Sequence, residues 1–187
     1  MAKGKNPVLM LSDRLYLTPC REDHADKFCQ WLNDPEVYGH LRDMSEVFRV
    51  EEVKLWISQI GPDPSQEVFA LYYLPEDQLI GNGGFKHLNH QDKTGEIWIV
   101  LGEKNYWRQG LGTEARWLIC KYGFEKLGLK NILGEHYEIN PVSLHNAKKT
   151  GAKPMGTRRK SKWTGEKYVD VHYTDMLPED LVKPEKK

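Results

Sequence analysis

The stretch Glu96-Ile97-Trp98-Ile99-Val100-Leu101, followed shortly by Tyr106-Trp107-Arg108-Gln109-Gly110-Leu111-Gly112-Thr113-Glu114-Ala115, decides the reading of this chain. The first part is a short run of β-branched and large apolar residues, the pattern of a strand. From Thr113 to Leu127 the residues read as a helix. Gly110 and Gly112 stand between them. A strand, a glycine turn and a helix in that order present free backbone N–H groups at a helix N-terminus. Such a turn suits a phosphate or pyrophosphate. No Gly-x-x-x-x-Gly-Lys-Ser/Thr occurs in the chain, so an ATP cradle ranks last among the phosphate ligands.

Outward from this turn, the chain punctuates itself with caps, prolines and glycines. Val8 to Thr18 reads as a strand with a kink at Ser12-Asp13. Thr18 and Pro19 then read as the cap and first position of a helix carrying Ala25, Phe28, Cys29 and Leu32 on one face, ending at Asn33-Asp34-Pro35. A second helix is expected over Val50 to Ile60. Glu67 to Leu74 and Gln78 to Leu88 read as a hairpin around Pro75-Glu76-Asp77. After the glycine turn and its helix come a strand over Asn131 to Asn140 and a helix over Pro141 to Thr150. A last hairpin, Lys153 to Arg159 and Lys167 to Met176, turns at Thr164-Gly165. This order predicts one α/β (α+β) domain over 1–187, with a mixed central sheet of about six to seven strands and about four helices. Its core is expected over 8–177, and the charged tail at 178–187 is expected to fray.

Composition narrows the function classes. The chain has 187 residues, 39% hydrophobic and 29% charged, which is an ordinary globular balance. Lys+Arg and Asp+Glu are both 27, so no global field favours nucleic acid or an anionic membrane. No apolar run approaches the roughly 18–20 residues of a membrane span. Met1 to Asn6 is positive, but no apolar run follows it as in a signal peptide. Cys20, Cys29 and Cys120 are odd in number and lack CxxC spacing. That argues against a disulfide framework and a zinc site, and suits a cytoplasmic protein with no metal.

Four segments stand in a fixed order: Trp31-Leu32-Asn33-Asp34-Pro35-Glu36-Val37, Gly95-Glu96-Ile97, the glycine turn, and Asn140-Pro141-Val142-Ser143 with Lys149-Thr150-Gly151-Ala152. In this order and spacing they resemble the GNAT superfamily of N-acetyltransferases, and most of all its ribosomal-protein alanine acetyltransferase (RimJ/RimL-like) and spermidine-acetyltransferase-like branch. Trp107 departs from the family's Arg or Gln at the first loop position.

The resemblance implies acetyl-CoA as cosubstrate and direct transfer of its acetyl group to a primary amine in a ternary complex. The acceptor would be a protein N-terminus or a small polyamine or aminosugar. The loop Trp107, Arg108, Gln109, Gly110, Leu111, Gly112 and Thr113 would hold the pyrophosphate. The backbone of Ile99, Val100 and Leu101, on a strand that splays from its neighbour, would pair with the pantetheine arm. Asn140 would bond that arm, cap the following helix, or do both. Lys149 and Lys148 would meet the adenosine phosphate or stand in solvent. Ser143 is the candidate proton donor to the departing thiolate, with capping as the alternative, because the family's tyrosine position holds Ala147. Glu96 is the candidate general base, with Glu135 and His136 as rivals, and Asp34, Glu36 and Glu135 are candidates for the acceptor side.

Two charge patterns add to this. From Pro141 to Gly165 there are seven Lys or Arg residues and no Asp or Glu, a cluster open to CoA phosphates, an acidic protein surface, RNA or solvent. Between Glu22 and Glu52, in the helices that the resemblance places on the acceptor side, Asp34, Glu36, Asp43, Glu46, Glu51 and Glu52 favour a cationic acceptor, diluted by Arg42, Arg49 and Lys54. Homodimerisation is left open by the sequence. Trp107, Ala147 and Ala152 (where the family usually has Phe) support one alternative, a non-catalytic acyl-CoA-binding module.

Overall fold

The computed structural model of the chain describes residues 7–39, 41 and 46–185. Met1 to Asn6, Arg42 and Asp43 therefore lie outside the described residues. The elements run β1 (Met10–Leu11), β2 (Leu15–Pro19), α1 (Ala25–Leu32), α2 (Pro35–Tyr38), α3 (Val50–Ile60), β3 (Glu67–Tyr73), β4 (Gln78–Asn89), β5 (Thr94–Leu101), α4 (Leu111–Glu125), β6 (Asn131–Tyr137), α5 (Pro141–Lys149), β7 (Lys153–Trp163) and β8 (Tyr168–Met176). The strands form one eight-stranded sheet in the order β1-β2-β3-β4-β5-β6-β8-β7. All neighbours are antiparallel except β5 and β6, which the helix α4 joins as a parallel crossover. The mixed α/β expectation holds, with slightly more strands and helices than the count anticipated.

Period-two alternation divides the core between the two faces of the sheet. Leu15 and Leu17 turn to the face covered by α4 and α5, where they meet Phe69, Leu71, Leu118, Ile119 and Ala147. Tyr16, between them, turns to the other face with Ala70, Tyr72 and Val100, against Phe28 and Trp31 of α1 and Val53 and Ile57 of α3. Each large side chain buried this way contributes about 1.5–3 kcal/mol.

Several boundaries differ from the sequence reading for identifiable reasons. The stretch Val8 to Thr18 is two strands, because Ser12 makes a turn: its hydroxyl accepts from Leu15 N–H at 3.0 Å, and Met10 pairs with Leu17. Thr18 and Pro19 stay in β2 instead of opening a helix. α1 follows a 3₁₀ turn at Glu22–His24, where His24 Nδ1 accepts from Arg21 N–H. Pro35 ends one helix and also starts α2, as the first helical residue after the Asp34 cap. β6 stops at Tyr137, and β7 runs on to Trp163. The tail does not fray where expected: Val182 N–H bonds Thr150 O at 3.0 Å, and Lys183 pairs with Asp13 at 3.2 Å. Among the described residues no helix is long and apolar enough to cross a membrane.

Candidate active site

β5 and β6 pair only from Thr94↔Asn131 to Ile97↔Gly134. Beyond that point the strands part. Trp98, Ile99, Val100 and Leu101 keep their β4 partners, Gly84, Gly83, Asn82 and Gly81, and among the described residues have no β6 partner. Backbone polar groups without sheet partners call for water or a ligand. An extended chain with its own amides fits such an opening. Ile99 and Leu101 face α4, while Trp98 and Val100 face α1 and α3. β4 lies close against this strand because it carries glycine: a Cβ at Gly83 would sit 2.8 Å from Trp98 O and 3.0 Å from Ile119 Cδ1.

The glycine turn delivers α4 to the mouth of this opening. Gly110 is the N-cap of α4 with φ +78°, a left-handed conformation that disfavours a side chain. The helix thus starts at Leu111, two residues before the expected Thr113. A Cβ on Gly112 would lie 3.2 Å from Asn146 Nδ2 and 3.5 Å from Leu101 Cδ1, so the turn is tight against both α5 and β5. Thr113 donates to Asn146 Oδ1 at 2.8 Å and ties the helix start to α5. The loop side chains divide their roles. Leu111 is in the core, Trp107 Nε1 donates to Leu101 O at 2.8 Å, and Gln109 Nε2 donates to Asn105 O. Arg108 is exposed with φ +61°.

Sequence reasoning missed Arg14. Its guanidinium meets Glu114 at 2.7 Å, and its Nη1 donates to Gln109 O at 2.9 Å. Ser12 Oγ donates to the same Glu114 at 2.8 Å. The β1–β2 turn therefore clamps the loop and the helix start together. The available signal was a carboxylate in the first turn of a helix that is apolar over Ala115 and Trp117 to Cys120, which must have a partner when buried.

Ser143 stands in the first turn of α5. Asn140 is the cap, its Oδ1 accepting from Ser143 N–H at 3.3 Å. Ser143 Oγ lies 2.8 Å from Nδ1 of His136 on β6, and His136 Nε2 lies 2.9 Å from Thr174 Oγ1 on β8. His136 is two residues past Gly134, where the pairing with β5 ends. It is buried, at 2% exposure. Burial first, then the Arg116 cation and His172, lower its pKa to about 3. The imidazole is therefore neutral, which weighs against it as the general base: a group that resists protonation is a weak base near neutrality.

Glu96 lies on the opposite face of the sheet from Ser143, aligned with Trp98 and Val100. Its carboxylate is held by Lys86 Nζ at 2.8 Å and His87 Nδ1 at 3.2 Å, two neighbours the sequence reading did not name. Glu135 joins the same group. It accepts from Tyr137 at 3.2 Å and Tyr173 at 3.1 Å, and Lys86 is 3.8 Å away. Burial, then Glu135, raise the Tyr137 pKa, so the phenol stays protonated and keeps donating. Lys162 covers the Tyr137 ring at 5.1 Å.

Asp34 and Glu36 belong to a separate cluster, around Lys104. Asp34 pairs with it at 2.9 Å, Glu36 also bonds it, and the Lys104 contact lowers the Asp34 pKa. Lys148 and Lys149 are exposed, as is nearly all of the basic strand β7. The structure thus brings Glu96 and Glu135 together and keeps Asp34 and Glu36 apart from them.

Comparison with known proteins agrees with this fold. Residues 14–153 match the family model described as an acetyltransferase (GNAT) domain. N-acetyltransferase p20 of Bacillus licheniformis is 25% identical over 170 residues, covering 90% of this chain and 95% of that protein. The alpha/beta-tubulin N-acetyltransferase 9 of Mus musculus is 26% identical over 147 residues, covering 73% of this chain and 61% of the mouse protein. Among solved structures, spermidine N-acetyltransferase from Vibrio cholerae in complex with CoA and spermine superposes with a TM-score of 0.82 at 16% identity. That match covers 90% of this chain and 98% of that one. The chain belongs to the GNAT family of N-acetyltransferases.

Proposed function

We propose that this protein moves the acetyl group of acetyl-CoA to a primary amine that is cationic in solution, by direct attack within a ternary complex. The observation that carries the reading is the parting of β5 from β6 after Ile97 and Gly134, with a glycine-turn helix N-terminus at one side and Ser143 at the other. Bound acetyl-CoA supplies the acetyl group as a thioester: its C–S bond breaks as the amine N–C bond forms, and of the two protons that the ammonium form gives up, one ends on the sulfur and the other is released to solvent.

The chain's own residues do the rest. Backbone N–H groups at Gly110 to Thr113, with the helix dipole, take the pyrophosphate. The edge of Ile99 to Leu101 that does not pair with β6 takes the pantetheine arm and polarises the acyl carbonyl, as oxyanion-hole donors do. Ser143 Oγ donates its hydrogen toward the departing sulfur. Glu96 receives the amine proton, directly or through water, and Glu135 with its two tyrosines draws the ammonium group to that side. Two acceptor classes compete: a small amine such as a polyamine, in line with the neighbour solved with spermine, and a protein amine such as an N-terminus, in line with the mouse relative named for tubulin.

The test is free-thiol release from acetyl-CoA with spermine, an aminosugar and short peptides bearing free N-termini. Release with any of them supports the reading, and the preferred acceptor separates the classes. Tight CoA binding with no release for any amine would overturn it in favour of a non-catalytic acyl-CoA-binding module.

A further inference from the structure

Arg116 lies on α4 at 5% exposure, and its Nε and Nη2 have no hydrogen-bond partner among the described residues. A guanidinium has only donors, so an unpaired one inside a core is costly and calls for an explanation. Its surroundings supply one. Arg116 Nη2, His136 Nε2 and Thr174 Oγ1 all converge above Gly134: a Cβ there would sit 3.0 Å, 2.9 Å and 2.7 Å from them. The glycine is what leaves room for this meeting.

His136 can bridge its two hydroxyl neighbours in two ways. With the ring proton on Nε2, the ring donates to Thr174 and Ser143 donates to Nδ1, which turns the serine hydrogen away from any other acceptor. With the proton on Nδ1, Thr174 donates to Nε2 and the ring donates to Ser143 Oγ, leaving the serine hydrogen free. The cation decides between them. A guanidinium beside Nε2 repels an N–H there and favours a lone pair. Burial first, and then the same cation and His172 on β8, resist protonation of the whole ring. Cys120, the other titratable group interacting with Arg116, is buried with its thiol pKa raised to about 11 and is neutral.

We propose that Arg116 is a positioning residue: it holds His136 as the Nδ1–H tautomer, so that the imidazole donates to Ser143 and the serine O–H remains available to the departing thiolate. This rests on the reading of Ser143 as that donor, but the tautomer itself is measurable without turnover.

The experiment is long-range ¹H–¹⁵N correlation NMR of the histidine-labelled full chain, with and without CoA, beside steady-state kinetics. His136 is expected as Nδ1–H, neutral across pH 5–8. Finding Nε2–H, or an imidazolium, would overturn the proposal. Arg116→Met is expected to shift the tautomer balance toward Nε2–H and to lower kcat at least tenfold, with CoA Kd little changed. Arg116→Lys, which keeps the cation, is expected to restore both in part. An Nδ1–H signal in Arg116→Met equal to wild type would remove Arg116 from the role. If Arg116→Met does not fold, the wild-type tautomer and the Arg116→Lys variant still decide. Should Ser143→Ala leave kcat untouched while the tautomer is Nδ1–H, the reading of Ser143 fails and tautomer selection by Arg116 stands.

Discussion

Arg14 Nε and Glu114 Oε2 lie 2.7 Å apart and join the β1–β2 turn to the first turn of the helix that follows the glycine loop. Glu114 is nearly buried and Arg14 about a quarter exposed, with side-chain exposures of 9% and 28%. Glu114→Ala leaves the Arg14 guanidinium and the Ser12 hydroxyl without their acceptor. A loss of about 2 kcal/mol is expected, less than a fully buried pair would cost. The loop should loosen with it and CoA bind more weakly. Thermal melting and calorimetric titration check both, and wild-type values in each would dismiss the clamp.

Gly112→Asp is expected to abolish CoA binding. The new side chain would press on Asn146 and Leu101, and its charge would oppose a pyrophosphate at the helix start. Undiminished binding by titration would place the cofactor elsewhere.

Ser143→Ala should lower kcat by roughly 10²–10⁴-fold, the range of a lost acid–base group, while CoA affinity stays near wild type. Asn140 and not the serine side chain caps α5, but the buried His136 Nδ1 loses its partner, so a destabilisation of about 1–3 kcal/mol is expected beside the kinetic effect. Unchanged kcat would leave Ser143 without a part in the chemistry.

Glu96→Gln keeps the shape of the carboxylate and removes its basicity. A fall of roughly 10²-fold or more in kcat/KM is expected for an amine that is mostly protonated at neutral pH. The loss should shrink as pH rises and the free amine accumulates. A pH-independent ratio to wild type would leave proton acceptance by Glu96 without support.

Stability should depend on His136 on the acid side. In the unfolded chain this histidine binds a proton near pH 6.5, whereas in the folded chain it does so only near pH 3. Between those values the unfolded state holds more protons, so stability is full above pH 6.5 and declines as pH falls toward 3. At 1.36 kcal/mol per pK unit, the loss reaches roughly 4–5 kcal/mol as an upper figure. His24, buried with a lowered pKa, adds in the same direction. Urea titrations from pH 7 to 4 on wild type and His136→Gln measure it. Parallel curves for the two proteins would contradict this account.

Much of the scaffold was legible in the residues. Val50–Ile60 emerged as a helix from its apolar spacing, and β3 to β5 from their strand patterns, close to their observed limits. The boundaries that slipped are those set by partners. Pro19 looks like a helix start, yet it pairs with Phe69 at the end of β2. The charged tail looks free, yet Val182 bonds Thr150.

The residues by themselves determined the order strand, glycine turn, helix, because turn chemistry and helix caps act over a few neighbouring positions. They also placed Ser143 in the first turn of a helix after Asn140-Pro141, for the same reason, and the structure shows Asn140 as its cap. Only the tertiary structure decided the rest. The parting of β5 from β6 depends on where pairing stops, and a backbone hydrogen bond leaves little trace in side-chain choice. The meeting of Arg116, His136, Ser143 and Thr174 depends on a helix, two strands and another helix packing over one glycine, Gly134. No local period links positions so far apart, and their chemistry exists only once the core has closed around them.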